Sequence, residues 1–225
     1  MFLISMEEIM ALILDKNSCT VTSIGDGFYN KVMNILDKNV QIETSNRIIQ
    51  SNYESPFTDF EQSVLWRCMN DKVCPELCEN LSQIVDNNSE QFPFDLYRGV
   101  SNSLLRQLQG KDIGETFDLR RVTSFSEDFK IAKDFASFEI YGTKTILHVV
   151  GPVNAFPYSK HMMHILLAAP DSEFCEVNTE KHRKDNVDMV INEQEWMINE
   201  CTRMRVVDII DDEQTGMCIY KVEIV

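Results

Sequence analysis

The segment Glu193-Gln194-Glu195-Trp196-Met197-Ile198 puts two carboxylates one residue apart, ahead of large apolar side chains. On an extended strand side chains alternate, so Glu193 and Glu195 share a face with Cβ atoms roughly 6.5–7 Å apart. Gln194, Trp196 and Ile198 then take the opposite face, which the Trp and Ile mark as buried. Neighbouring carboxylates repel, and one holds its proton more tightly than usual unless a cation intervenes. Such a pair suits a reaction in which a sugar C1 bond breaks and positive charge develops beside the anions. An acidic, solvated edge-strand face is the commoner meaning of an isolated Glu-x-Glu.

Two further segments add polar groups of the right kind. Arg98, in Leu96-Tyr97-Arg98-Gly99, ends a short strand and precedes a glycine that permits close ligand approach. There it can hold a diphosphate through two parallel hydrogen bonds, although pairing with a surface acid is the plainer role. Ser124-Phe125-Ser126 places both hydroxyls on one side of a strand, with Phe125 on the other. Ser126 also reads as the N-cap of a following helix.

Together the three segments resemble the Arg–Ser–Glu class of mono-ADP-ribosyltransferases. An aromatic-Arg-Gly strand comes first, then Ser-x-Ser with Ala132, Phe135 and Ala136 in the helix behind it, then Glu-x-Glu on a late strand. That register matches Ser124, not Thr123, to the class's first serine, with Phe125 where many members carry Thr. FTDFEQSVLWRCM (57–69), LYRGVS (96–101), Ala169–Phe174 and EQEWMI (193–198) narrow the likeness to the T-even bacteriophage branch, over about residues 55–225. The resemblance implies a split β-sandwich that uses NAD as substrate and no metal. It assigns Arg98 to the NAD phosphates and Gly99 to nicotinamide through its backbone. Ser124 holds the ribose and orients Glu195, and Glu195 binds the ribose 2′-hydroxyl and stabilises the oxocarbenium ion. Glu193 orients an acceptor arginine and takes its proton. Phe138 and Tyr141 are both candidates to stack on nicotinamide.

The implied partners are NAD and host bacterial proteins bearing acceptor arginines, ribosomal or RNA-associated, with NAD-capped RNA as a further candidate. The implied place of action is the cytoplasm of the infected host, with translation or transcription components as targets. An NAD glycohydrolase and a non-catalytic binding module on the same fold are the competing readings. Glu193 argues against the first, because hydrolysis needs no guanidinium-orienting acid. A complete motif set argues against the second.

The elements that must position these residues divide into two parts of one expected domain, a helical part over 1–90 and an NAD-binding catalytic core over 91–225. Apolar spacing predicts helices at 6–15, 28–37 and 75–85, and Thr58-Asp-Phe-Glu61 is a capping box leading into Phe60, Val64, Leu65 and Cys68. From residue 94 short strands dominate, with a helix after Ser101 and another after Ser126, so the expected class is α+β.

Composition limits the alternatives. The chain has 225 residues, 44% of them hydrophobic and 25% charged, which is a globular balance. Lys and Arg number 21 against 36 Asp and Glu, for a net charge of −15. Non-specific duplex binding and docking to anionic lipid are therefore disfavoured, and no membrane partner is expected. Seven cysteines at irregular spacing, without a C-x-x-C pair, read as reduced thiols. The apolar start carries Glu7 and Glu8 and no basic n-region, which argues against a signal peptide. His161 and His164 are three apart but have no third ligand at a telling spacing. Lys181-His-Arg-Lys184 lies in the loop before Glu193, where the class keeps its target-recognition turn.

Overall fold

The computed structural model describes residues 56–70, 74–168 and 192–225, with residues 186, 189 and 190. The helices expected at 6–15 and 28–37, the segment Ala169–Phe174, the turn at 181–184, and Cys19 and Cys175 lie outside the described residues. The helices are α1 (Asp59–Asn70), α2 (Pro75–Asn88), α3 (Asn102–Leu108), α4 (Phe129–Ala136) and α5 (Tyr158–Ala168). The strands are β1 (Glu90–Phe92), β2 (Leu96–Gly99), β3 (Thr116–Asp118), β4 (Thr123–Ser126) and β5 (Thr145–Val149), followed by β6 (Val153–Ala155), β7 (Glu195–Ile198), β8 (Arg203–Asp212) and β9 (Met217–Ile224). The α+β class holds, with helices leading into a sheet core.

The chain divides into two compact units, Met1–Lys72 with Tyr158–Gln194, and Val73–Pro157 with Glu195–Val225. In the first, the capping box forms as its residue types require. The Thr58 N–H donates to Glu61 at 2.8 Å, and the Glu61 N–H donates back to the Thr58 hydroxyl at 3.3 Å. Val64 and Leu65 are buried, but Phe60 is 60% exposed, because the aromatic that enters the core here is Phe57, one residue before the cap. The Tyr158 hydroxyl donates to the Leu65 carbonyl at 3.0 Å and ties α5 to α1. The Ser159 hydroxyl donates to the Val190 carbonyl at 2.9 Å, tying the start of α5 to the helical turns before Gln194.

The second unit is built on a seven-stranded sheet in the order β3-β8-β9-β5-β2-β4-β7, beside a two-stranded ladder of β1 and β6. Among the described strands only β5 and β9 pair in parallel; β8 and β9 form a long antiparallel hairpin. Alternating apolar residues seal one face against α4, where Ala132 and Ala136 pack with Ile146 and Met217. Phe92 and Trp196 pack with ring centroids 4.4 Å apart. The sheet is weakest between β2 and β4, which share a single register pair, Tyr97 with Ser126. On either side β2 holds β5 through four pairs and β4 holds β7 through four.

Two helix starts differ from expectation. Asp128, not Ser126, caps α4, accepting the Lys130 N–H at 2.8 Å, while the Ser126 hydroxyl accepts the Asp128 N–H at 3.1 Å one turn earlier. A carboxylate at the cap also meets the positive end of the helix dipole. Ser101 stands at the N-cap of α3, but its hydroxyl makes no cap bond and lies 3.0 Å from that of Ser103.

Candidate active site

The weak β2–β4 junction is where the polar segments converge. Arg98 is the third residue of β2, and its Nη1 donates to the Ser124 carbonyl on β4 at 2.5 Å, so a side chain spans the place where the backbone ladder thins. Its Nε is buried and, among the described residues, has no hydrogen-bond partner. An unpartnered buried N–H on a cation is costly, and an anionic ligand is the partner that removes the cost. Burial lowers the guanidinium from its ordinary value, Tyr141 and Glu195 act to raise it, and Arg121 lowers it further.

Glu195 opens β7 directly across from Ser126, with Met197 across from Ser124. Strand alternation puts the Ser124 side chain on the same face as Ser126, diagonal to Glu195. Among the described residues the Ser124 hydroxyl makes no hydrogen bond, so it remains available to a ligand. Ser124, Arg98 and Glu195 are thus brought together on one unit.

Glu193 departs from the strand reading. The strand begins at Glu195, Gln194 has φ of 46°, and Glu193 belongs to a helical turn. The left-handed residue breaks the alternation that would have put both carboxylates on one pleated face. Gln gives no sequence warning of a positive φ. Partial burial pushes the Glu193 carboxyl above the usual glutamate range.

Gly99 is fixed by packing. A Cβ there would lie 2.5 Å from the Ala132 carbonyl oxygen and 2.6 Å from both the Ala136 nitrogen and the Phe135 Cβ, so only glycine lets α4 lie against β2. Beside Arg98 opens a cavity of about 460 Å³. Arg98, Arg106, Arg120 and Arg121 line it, with Ser101, Ser103 and Thr123, and among the described residues no carboxylate does. In a chain of net charge −15, that wall is a place for an anion.

The model of the bacteriophage T4 Mod ADP-ribosyltransferase family matches residues 28–225. The chain belongs to that family. It is similar to the NAD–protein ADP-ribosyltransferase modB of Enterobacteria phage T4, 40% identical over 147 residues, 63% of this chain and 70% of that protein. Among solved structures it is similar to exoenzyme S from Pseudomonas aeruginosa, in complex with human 14-3-3 protein beta and bound to carba-NAD, at 14% identity and a TM-score of 0.44, over 90% of this chain and 88% of that one. The Vis toxin, an ADP-ribosyltransferase from Vibrio splendidus, matches at 12% identity and a TM-score of 0.43, over 100% and 88%.

As a Mod ADP-ribosyltransferase the chain draws the transferred group from NAD, which is a substrate and not a resident cofactor. The residues are compatible with that donor: among the described residues the buried Arg98 Nε has no partner, a cationic cavity opens beside it, and the Ser124 hydroxyl stands near Glu195 without a hydrogen bond. Among the described residues no group of three His, Cys, Asp or Glu could hold a metal ion. The ring of His161 instead packs edge-on to Phe57, with centroids 4.9 Å apart. Among the described residues, no helix is long and apolar enough to cross a membrane.

Of the two aromatic candidates, Phe138 is 75% exposed and has the Lys144 ammonium 4.5 Å from its ring centroid. Tyr141 packs 5.9 Å from the Phe135 ring and lies near enough to Arg98 to count among the groups that act on it. Tyr141 is the aromatic that stands by the arginine. Sequence reasoning missed Arg106, Arg120 and Arg121. The Arg120-Arg121 pair, separated from Thr123-Ser124 by Val122 alone, in so acidic a chain, was the available signal.

Proposed function

We propose that the protein transfers ADP-ribose from NAD to arginine side chains of host bacterial proteins, components of translation or transcription, in the cytoplasm of the infected cell. The observation that carries this is the meeting of Arg98, Ser124 and Glu195 at the β2–β4–β7 junction, with Glu193 two residues before Glu195. Arg98 holds the diphosphate, Gly99 meets nicotinamide through its backbone, and Ser124 steadies the nicotinamide ribose and Glu195. Tyr141 stacks on the nicotinamide ring. The bond between C1″ and the nicotinamide nitrogen breaks, and its electron pair leaves with neutral nicotinamide. Glu195 stabilises the oxocarbenium ion from the ribose 2′-hydroxyl side. An arginine nitrogen then bonds to C1″, and Glu193 takes the proton released. A guanidinium is fully protonated in water, so a carboxylate held above the usual range by burial is a stronger base for that task.

NAD-capped RNA belongs to the proposal as a second donor, supported by the family resemblance alone. The test is incubation with labelled NAD and a lysate of the host bacterium, followed by mass spectrometry of the proteins. Label on arginine supports the reading. Free ADP-ribose without labelled protein would make the chain a glycohydrolase, and neither product would make it a binding module. Covalent retention of RNA on protein after incubation with NAD-capped RNA tests the second donor.

A further inference from the structure

Glu195 stands where its strand is least held. The ladder between β4 and β7 ends at the pair of Ser126 with Glu195, because the residue before, Gln194, is left-handed. β7 is also the last strand in the sheet order. Among the described residues its outer side is joined at Met197, which exchanges backbone hydrogen bonds of 2.8 and 2.9 Å with Phe156. Backbone pairing therefore fixes the far half of β7 better than the end that carries Glu195.

A side chain makes up the difference. Trp196 follows Glu195 and lies across from Phe125, so its indole takes the face opposite to the glutamate. There it is 3% exposed and packs on Phe92. Ring packing sets the depth of an indole, whereas its single N–H has a direction and needs an acceptor once buried. That N–H donates to a carboxylate oxygen of Glu127 at 2.5 Å. Glu127 comes directly after Ser126, and in the register of β4 and β7 it falls opposite Gln194, where the backbone ladder has already ended. The Glu127–Trp196 bond thus ties the end of β4 to β7 past the last backbone pair. Glu127 also precedes the N-cap Asp128, where any carboxylate favours the helix dipole. A role at the helix alone does not require its grip on the indole.

We propose that Glu127 is a positioning residue for Glu195, acting through the indole of Trp196. A charged acceptor holds a buried N–H more firmly than a neutral one, and the indole it holds is borne by the residue bonded to Glu195. The inference rests on the reading of Glu195 as the group that stabilises the oxocarbenium ion. On that reading Arg98 and Ser124 hold NAD, so loss of the Glu127–Trp196 bond slows the chemical step and spares donor binding.

The test measures kcat for nicotinamide release from NAD with agmatine present, and NAD affinity by calorimetry, on the full chain. The variants are Glu127→Ala, Glu127→Gln, Trp196→Phe and the double variant Glu127→Ala/Trp196→Phe, with Glu195→Gln as control. Glu127→Ala and Trp196→Phe should each lower kcat roughly ten- to hundredfold, the scale of a misplacement of about 1 Å, and leave the NAD dissociation constant within about twofold. The double variant should be no slower than the slower single one, because both remove the same bond. Glu127→Gln keeps an oxygen that accepts the indole N–H and should recover most of the rate. Trp196→Phe keeps a ring against Phe92 and decides the matter where Glu127→Ala does not fold. A normal kcat in Glu127→Ala or Trp196→Phe overturns the inference, as does a parallel fall in kcat and NAD affinity, which marks general damage to the fold. Losses that multiply in the double variant, or a Gln variant as slow as the Ala one, overturn it too, because Glu127 then acts by its charge or through another neighbour. An inactive Glu195→Gln beside unaffected Glu127 variants removes this inference alone. Normal nicotinamide release by Glu195→Gln removes the reading of Glu195 and this inference together.

Discussion

Glu195 and Glu193 lie two positions apart, yet their backbones differ in kind: one opens a strand and the other closes a helical turn. Their tasks are expected to separate accordingly. Glu195→Gln should abolish both nicotinamide release and transfer, whereas Glu193→Gln should lose transfer to arginine and keep residual NAD hydrolysis. Equal loss of both activities in Glu193→Gln would sink that division. Burial raises the Glu193 pKa, so its base form disappears as pH falls through a value above the ordinary glutamate range. The ratio of transfer to hydrolysis should therefore drop on acidification sooner than an ordinary glutamate would allow. A ratio independent of pH between about 4 and 7 would remove Glu193 from the proton path. Arg98→Lys keeps the charge but loses the fork that reaches both a ligand and the Ser124 carbonyl. NAD affinity should fall by about 1.5–3 kcal/mol, the range for hydrogen bonds to charged groups. An unchanged dissociation constant by calorimetry would leave Arg98 as a strand-bridging side chain only.

At the scale of elements, β2 and α4 are held at a spacing that a single methyl group would break. Gly99→Ala forces a Cβ to within 2.5–2.6 Å of helix backbone and the Phe135 Cβ, so the helix must shift. A loss of about 1–3 kcal/mol in stability is expected, read as a lowered melting temperature, together with weaker NAD binding because Arg98 is the adjacent residue. A variant that melts and binds NAD like the unaltered protein would contradict the packing. Much at this scale was legible from local chemistry. The Thr58–Glu61 box, the apolar face of α4 and the strands around Arg98 and Ser124 each follow from a few neighbouring residues. What escaped depends on distant partners or on backbone that side chains do not announce. Phe60 stays outside while Phe57 goes in, Asp128 outcompetes Ser126 for the cap, and Gln194 turns left-handed. The arginine cavity escaped because its wall is assembled from α3, β2 and the approach to β4, which lie up to about 25 positions apart in sequence.

For the molecule as a whole, a net charge of −15 makes the basic run Lys181-His-Arg-Lys184 stand out in the sequence as a proposed address for an anionic partner. Replacing Lys181, Arg183 and Lys184 with Ser should leave NAD hydrolysis intact and slow modification of large targets, with the difference shrinking as salt rises. A small guanidino acceptor such as agmatine should be modified as before. Wild-type rates on macromolecular targets at low salt would reduce that turn to solvated surface. The same whole-molecule view bears on the junction between β2 and β4, where one register pair and the Arg98 guanidinium join the two parts of the sheet. A rung made by a side chain can be borrowed. On the proposed reading a diphosphate that engages Arg98 competes with the Ser124 carbonyl for its N–H groups, and β4 with β7 is then the more compliant margin of the sheet. Deuterium should therefore enter the β2–β4 junction before the β5–β9 ladder, whose five pairs run unbroken, and the entry should change on adding NAD. The protein's donor would then be felt as elasticity, in the strand that Glu195 opens.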